Sequence, residues 1–460
     1  EMIGCIQTLG HLEQVLQWSA YDKVRDTKQV LMADEEKTYQ LIEKMLAFWN
    51  EAFASRRIHI GMDETHDLGR GSFMDKFGYE RGFDIFNRHL ARVGELSANH
   101  GLRPMIWSDM YFRMGNPVQS YYDVNTNIPD DVKAKIPAGV DLVYWDYYHD
   151  NKAFYLDWIQ RHRDLNKEPL MGSGVWTWGK FWCAYDYSKR MVIPCLEACR
   201  ESKLQDVFFT LWGDDGAYCE FDSALAGLCQ AAEWSFGQDC NEKDTAALFD
   251  AVCGADYRMQ VKAGELEECY PAADYNSNSA NWMWDDPLMG KYQREVADFS
   301  PAAVDQIMAH YEKLAAELPA EVEYTGGGDV TFARQTAAVL ADKIKLRRKL
   351  LSAYHRHDSA GLKELAERDI PAITAEVRRW EEMFRTQWLR RNKPFGMDVI
   401  QMRIGGQLLR WEELRRWLVD YVQGKVKAIP ELEISLPGQD GKNPDWGGWS
   451  KWGISSRSIW

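Results

Sequence analysis

Six short stretches of the chain gather branched and aromatic residues and then break into polar or aromatic ends: "MIGCIQTLGH", "RIHIGMDE", "LRPMIWSDM", "VDLVYWDYYHD", "PLMGSGVWTWG" and "DVFFTLWGDDG". Such runs predict buried strands. Between them lie stretches with helical spacing of apolar positions, such as "EEKTYQLIEKMLAFWNEAF" and "RGFDIFNRHLARVGELSANHG", the second closing at Gly101 as a helix C-cap does. Strand and helix alternating every ~30 to 45 residues is the rhythm of βα units around a parallel sheet, with function expected at the C-terminal strand ends. Six strands fall short of the eight of a closed (β/α)8 TIM barrel. The pattern therefore leaves two readings, an open α/β sheet or a barrel lacking two units.

After about residue 236 the strand signal stops. "ARQTAAVLADKIKLRRKLLSAYHRH", "GLKELAERDIPAITAEVRRWEEMFRTQWLRRN" and "GMDVIQMRIGGQLLRWEELRRWLVDYVQG" read as long helices, so the chain divides into a barrel-type region over 1–236 and an all-α region over 237–430. Residues 431–460, rich in Gly, Pro and Trp, are expected to form an irregular arm. A length of 460 residues agrees with more than one core.

Charge narrows the partners. With 55 basic and 70 acidic residues the net charge is -15, which disfavours nucleic acid and anionic membrane. Nine cysteines carry no paired CxxC spacing, so neither a disulfide framework nor a zinc site is expected, although Cys195 and Cys199 share one helical face. No cofactor is called for. A metal set of His59, Asp63, His66 and Asp67 is disfavoured, because His59 and Asp63 would stand about 13 Å apart along a strand. No run of 18 apolar residues occurs, and "EMIGCIQTLGH" lacks the features of a signal peptide, so a reducing cytoplasm is the default expectation.

The chemistry concentrates in "IHIGMDETHDLGRG". An acidic pair is common by itself, with about ten expected by chance at this composition. Asp63 and Glu64, however, follow the buried run Ile58, Ile60 and Met62 directly. Neighbouring side chains on a strand point to opposite faces, so both acids serve one pocket only where the strand gives way to its loop. Two close carboxylates do not both ionise cheaply; one keeps a proton and becomes a general acid, the division of labour that glycoside cleavage uses. Trp107, Trp145, Trp176 and Trp212 fall at four successive strand ends, where rigid indole faces suit a sugar pocket, although Trp178 competes with Trp176. His11 alone reads as a core histidine.

"HIGMDETHDLGRG" is similar to the His-x-Gly-x-Asp-Glu signature of glycoside hydrolase family 20, the β-N-acetylhexosaminidases. "CIQTLGHLEQVLQW", "RPMIWSDMYFR", "WDYYH", "TLWGDDG" and "NKPFGMDVIQMRIGG" resemble its intracellular, hexosaminidase D-like branch. The resemblance implies a TIM barrel of which this chain holds strands three to eight. It implies exo-acting, retaining release of terminal GlcNAc or GalNAc, with the substrate's own acetamide as nucleophile. Asp63 would then receive the acetamide N–H, Glu64 would be general acid and base, and His11 would bond and tune Glu64. Asp214 would bind the outer hydroxyls, with Asp215 sharing or replacing it. The family's tyrosine against the acetamide oxygen has no counterpart in "SGVWTWGKF"; Tyr147 is chosen over Tyr148 to replace it.

Strands one and two, with an arginine that grips the sugar, have no counterpart, so an N-terminally shortened hexosaminidase is expected. A non-catalytic carbohydrate-binding barrel is the alternative. The expected partners are a glycan or glycoconjugate ending in N-acetylhexosamine and, through the helical region, a second copy forming a homodimer.

Overall fold

The computed structural model describes residues 1–237, 240–268, 278–300, 302–323 and 326–433. The expected C-terminal arm lies, beyond residue 433, outside the described residues. All six predicted strand stretches contain strands: β1 (Gly4–Cys5), β2 (Arg57–His59), β3 (Arg103–Trp107), β4 (Asp141–Trp145), β5 (Leu170–Gly174) and β6 (Val207–Thr210). They form one sheet in the order β1 to β6. Successive pairs from β1 to β5 are parallel, in registers such as Ile58 with Pro104 and Ile106 with Leu142. Bonds from Met171 N–H to the Asp206 carbonyl and from Val175 N–H to the Thr210 carbonyl extend the ladder to β6. This parallel sheet followed by a helical region is TIM-barrel-like.

Two compact units share the chain, one built from residues 1–174 and 194–209 and the other from 175–193 and 210 onward. In the first, α1 (Glu36–Ala52) buries Thr38, Ile42 and Leu46 at intervals of four, which is one helical face. α2 (Gly82–Asn99) likewise buries Phe83, Phe86, Leu90 and Val93, and stops where Gly101 takes a φ of +66°. Between β3 and β4 comes α3 (Asp109–Met114); α4 (Lys152–Arg163) starts where the Asn151 side chain accepts the Ala153 N–H at 2.8 Å. These faces close over Ile58, Ile106, Leu142 and Met171 in a single core. Because β3 to β5 are buried on both faces along most of their length, their sequences read as apolar blocks and not as strict alternation.

Cys195 and Cys199 lie buried on α5 (Tyr185–Glu201). Past β6, α6 (Ala224–Phe236) precedes the helical region, whose longest members are α7 (Ala303–Glu317), α8 (Val330–His355), α9 (Ile370–Arg391) and α10 (Met397–Val422). Its core is aromatic and aliphatic, with Phe332, Trp380, Phe384 and Trp411 buried in it. The buried Arg347 guanidinium ties the carbonyls of Pro287, Leu288 and Met289 at 2.6 to 2.8 Å.

Candidate active site

The parallel sense of the strands brings the C-terminal ends of β1 to β4 to one edge, and backbone bonds continue past the strands there. Ile6 and Thr8 N–H reach the carbonyls of His59 and Ile60, and Trp107 N–H reaches that of Gly61. Just beyond this ladder the backbone leaves the β region. Gly61, Met62 and Glu64 all have positive φ, at +71°, +74° and +49°. The last two are uncommon conformations for residues with a side chain. They flank Asp63 and break strand alternation, so that Asp63 and Glu64 reach the same His11. This is how adjacent acids come to one place.

Gln7, two residues past β1, holds the turn. Its amide oxygen accepts the Met62 N–H at 3.3 Å and its amide nitrogen donates to Asp63 Oδ1 at 3.0 Å. A Cβ on Gly61 would lie 1.9 Å from that amide oxygen. Gly61→Ala therefore displaces Gln7 and adds a strained φ; a loss of about 2 kcal/mol is expected in urea denaturation. An unchanged midpoint would contradict it. Gly10 makes a similar allowance, since a Cβ there would meet the Asp63 carbonyl at 2.8 Å.

His11 Nε2 lies 3.2 Å from Asp63 Oδ2 and 3.5 Å from Glu64 Oε2, so its primary partner is Asp63 and not Glu64. The hydrogen bond to Asp63 raises the imidazole to about 9 against opposing burial, with the charges of Asp63 and Glu64 adding to it. Burial works to raise Asp63, yet the bond and charge of His11 and the Gln7 amide outweigh it and hold the carboxyl below its ordinary value. Near neutral pH the pair is a charged one. His59, in contrast, is pushed down to about 4 by burial, and its Nδ1 accepts the Gly61 N–H at 3.1 Å, which leaves it neutral with the proton on Nε2.

A third acid completes the cluster. Asp109, at the start of α3, accepts the Glu64 N–H at 3.0 Å on Oδ2 and the Trp145 indole N–H at 3.2 Å on Oδ1. Burial, then the charge of Asp63, raises it to about 8. It links the backbone of Glu64 to the indole of Trp145. Trp145 in turn stacks on the buried Tyr147, centroids 5.4 Å apart and planes at 22°. Buried Asp146 accepts Tyr148 N–H at 2.9 Å and the Tyr144 hydroxyl at 2.8 Å, which fixes the turn that keeps Tyr147 in and leaves Tyr148 more exposed. Trp107 is buried against His59, with centroids 4.5 Å apart. Tyr121 donates to Glu64 Oε1 at 3.2 Å.

Gln7, Asp109 and Tyr121 were not foreseen. Asp109 carried a signal, standing two residues past Trp107 as Asp214 stands two past Trp212.

Trp176, Trp212 and Asp214 belong to the second unit. Trp176 is buried and stacked on Trp178 with centroids 3.9 Å apart, so the two form one aromatic block. Thr177 Oγ1 donates to the Trp212 carbonyl at 2.8 Å, and Gly179 N–H to the Asp214 carbonyl at 3.1 Å. Trp212 is half-buried and Asp214 exposed; the side chain of Asp215 lies outside those described. The loop after Asp214 is gripped by the helical region: Arg390 bonds buried Glu220 at 2.9 Å, Arg391 pairs with Asp222, and Arg403 bonds the Tyr218 hydroxyl. Burial raises Glu220 to about 7 against the pull of Arg390.

Among the described residues no three His, Cys, Asp or Glu side chains are grouped to hold a metal ion, and no helix is long and apolar enough to cross a membrane.

Residues 5–207 match the glycosyl hydrolase family 20 catalytic domain, and residues 257–445 match the glycoside hydrolase 20C C-terminal domain. Human hexosaminidase D is 26% identical over 161 residues, which is 33% of this chain and 30% of that protein. The Bos taurus hexosaminidase D is 25% identical over 161 residues, 33% of this chain and 42% of that one. The match thus spans less than half the length of these curated relatives. A solved β-N-acetylhexosaminidase of Bacteroides fragilis aligns at 18% identity over 54% of this chain and 50% of its own, with a TM-score of 0.35. Two domain matches from one family, one in each half of the chain, agree with the Asp63–Glu64 site just past β2: the chain belongs to glycoside hydrolase family 20.

Proposed function

We propose that the protein is an exo-acting, retaining β-N-acetylhexosaminidase of the hexosaminidase D-like branch, releasing terminal GlcNAc or GalNAc with the substrate's acetamide as nucleophile. In this reading the six strands are strands three to eight of a (β/α)8 barrel over 1–236, followed by the helical region over 237–430. The cytoplasm is its working compartment, and glycans or glycoconjugates are its substrates.

The observation that carries the reading is the His11–Asp63–Glu64 cluster, with Asp63 held ionised by two donors beside a second carboxylate. The acetamide carbonyl oxygen attacks the anomeric carbon while the bond to the leaving oxygen breaks, and that oxygen takes the proton of Glu64. Asp63 receives the acetamide N–H and stabilises the positive charge of the oxazolinium ion. Water then adds to the anomeric carbon, giving its proton to Glu64, and the ring opens to restore the acetamide. Trp107 and Trp145 wall the sugar, and Tyr147 donates to the acetamide oxygen. The thiazoline analogue of the bicyclic intermediate is expected to compete with substrate and bind at least 100-fold more tightly than N-acetylglucosamine. Inhibition no stronger than that by the free sugar would overturn the proposal.

A further inference from the structure

We propose that Tyr121 is a positioning residue for the general acid: its phenol occupies Oε1 of Glu64, so that Oε2 alone is presented for proton exchange with the substrate. The inference rests on the reading of Glu64 as that acid, and the mechanism above makes no use of Tyr121.

The phenol bonds Glu64 Oε1 at 3.2 Å and on its other side meets His66 Nε2. Its ring packs on Trp145 at 5.5 Å, with the Arg113 guanidinium 5.2 Å from its centroid. The loop that delivers it is well braced. The Asn116 side chain accepts the N–H groups of Val118 and Ser120 at 3.0 and 3.1 Å, and Tyr122 donates to the Trp145 carbonyl at 2.7 Å. Tyr121 is thus locked to the same tryptophan that Asp109 ties to the Glu64 backbone.

A phenol has one proton to give. When Glu64 is ionised its carboxylate is the stronger acceptor, so the phenol donates to Oε1 and His66 donates to the phenol. Burial and Arg113 hold His66 below its ordinary value, so it is neutral and can face the phenol with a donor or an acceptor. The chain of bonds can therefore reverse as Glu64 gives up and regains its proton. The charged and titratable groups facing Glu64 are Asp63, His11, Asp109, Tyr121 and, through Tyr121, His66 and Arg113.

The test compares pH profiles of kcat/KM for the parent protein, Tyr121→Phe, His66→Ala and Glu64→Gln. Each is assayed with an alkyl and an activated aryl β-N-acetylglucosaminide. Losing a donor to the ionised carboxylate disfavours that form, so Tyr121→Phe is expected to move the alkaline limb up by roughly half to one pH unit. It should slow the alkyl substrate about 10-fold and the aryl one less than twofold. His66→Ala, at an exposed position, should shift the limb the same way by less. Equal slowing of both substrates with the limb unmoved in both variants would overturn the inference and leave Tyr121 a wall. If Glu64→Gln itself spares the leaving-group dependence, the general-acid reading fails, and the inference with it.

Discussion

Replacing Glu64 with Gln is expected to lower kcat/KM for an alkyl β-N-acetylhexosaminide by about 10²- to 10⁴-fold, and far less for an aryl substrate whose leaving group departs without a proton. The amide has nearly the shape of the acid and can still accept from Tyr121 at the Oε1 position. What it lacks is a proton to give and a site to take one. Both half-reactions therefore suffer. For the activated aryl substrate only hydrolysis of the oxazolinium ion remains slow, so azide, which needs no deprotonation, should restore turnover and yield the β-glycosyl azide. Steady-state rates with the two substrates, with and without azide, check this; undiminished turnover of the alkyl substrate would remove Glu64 from the mechanism.

Asp63→Asn should cost about 10²- to 10³-fold in kcat even for the activated substrate. Asp63 takes two donors, Gln7 Nε2 and His11 Nε2, one on each oxygen. An asparagine has one acceptor and so must turn its amide nitrogen toward one of them. It also removes the negative charge from beside the forming oxazolinium ion. A second readout follows from His11, whose main reason for standing near 9 is its bond to Asp63. In the variant its NMR titration should fall back toward 6.5.

The pair also has a pH signature in stability. His11 is raised on folding, so its contribution is complete below about 6.5 and lost as pH rises through 9. Asp63 is depressed, so its contribution is complete above its ordinary value near 3.8 and lost as pH falls through its lowered folded one. The difference in urea midpoint between the parent and Asp63→Asn should be greatest between roughly pH 4 and 6.5 and shrink above 9. A difference that does not vary with pH would show that the ion pair contributes nothing.

Much of the sheet was legible because a strand buried on both faces leaves a local mark. "RIHIG", "RPMIW" and "DLVYW" are apolar blocks bounded by turns, and each contains a strand. Gly101 ended its helix for a local reason as well, a positive φ at a C-cap. The carboxylates were legible as a motif, but what brings them together was not. Positive φ at Met62 and Glu64 is held from outside the segment, by Gln7 just past β1 and Asp109 after β3, and no propensity of Met or Glu announces it.

The role given to His11 illustrates the same limit. A sequence places it near both acids, but only coordinates separate 3.2 Å from 3.5 Å and so choose Asp63 as its partner. Tyr121 comes from a loop after α3, where side-chain direction depends on the Asn116 turn and leaves no periodic trace. Nor did composition reveal that residues 175–193 group with the helical region, since that grouping is made by contacts such as those of buried Glu267 with the N–H groups of Phe181 and Trp182 at 2.8 and 3.1 Å.

One measurement bears on the sugar's nucleophile most directly: kcat for aryl glucosaminides whose N-acetyl group carries zero, one, two or three fluorines. Each fluorine withdraws electrons from the carbonyl oxygen and weakens it as a nucleophile while leaving the aglycone unchanged. The account predicts a steep fall in kcat with each fluorine and negligible cleavage of the matching glucoside. A flat series, with the glucoside turned over as fast, would contradict it.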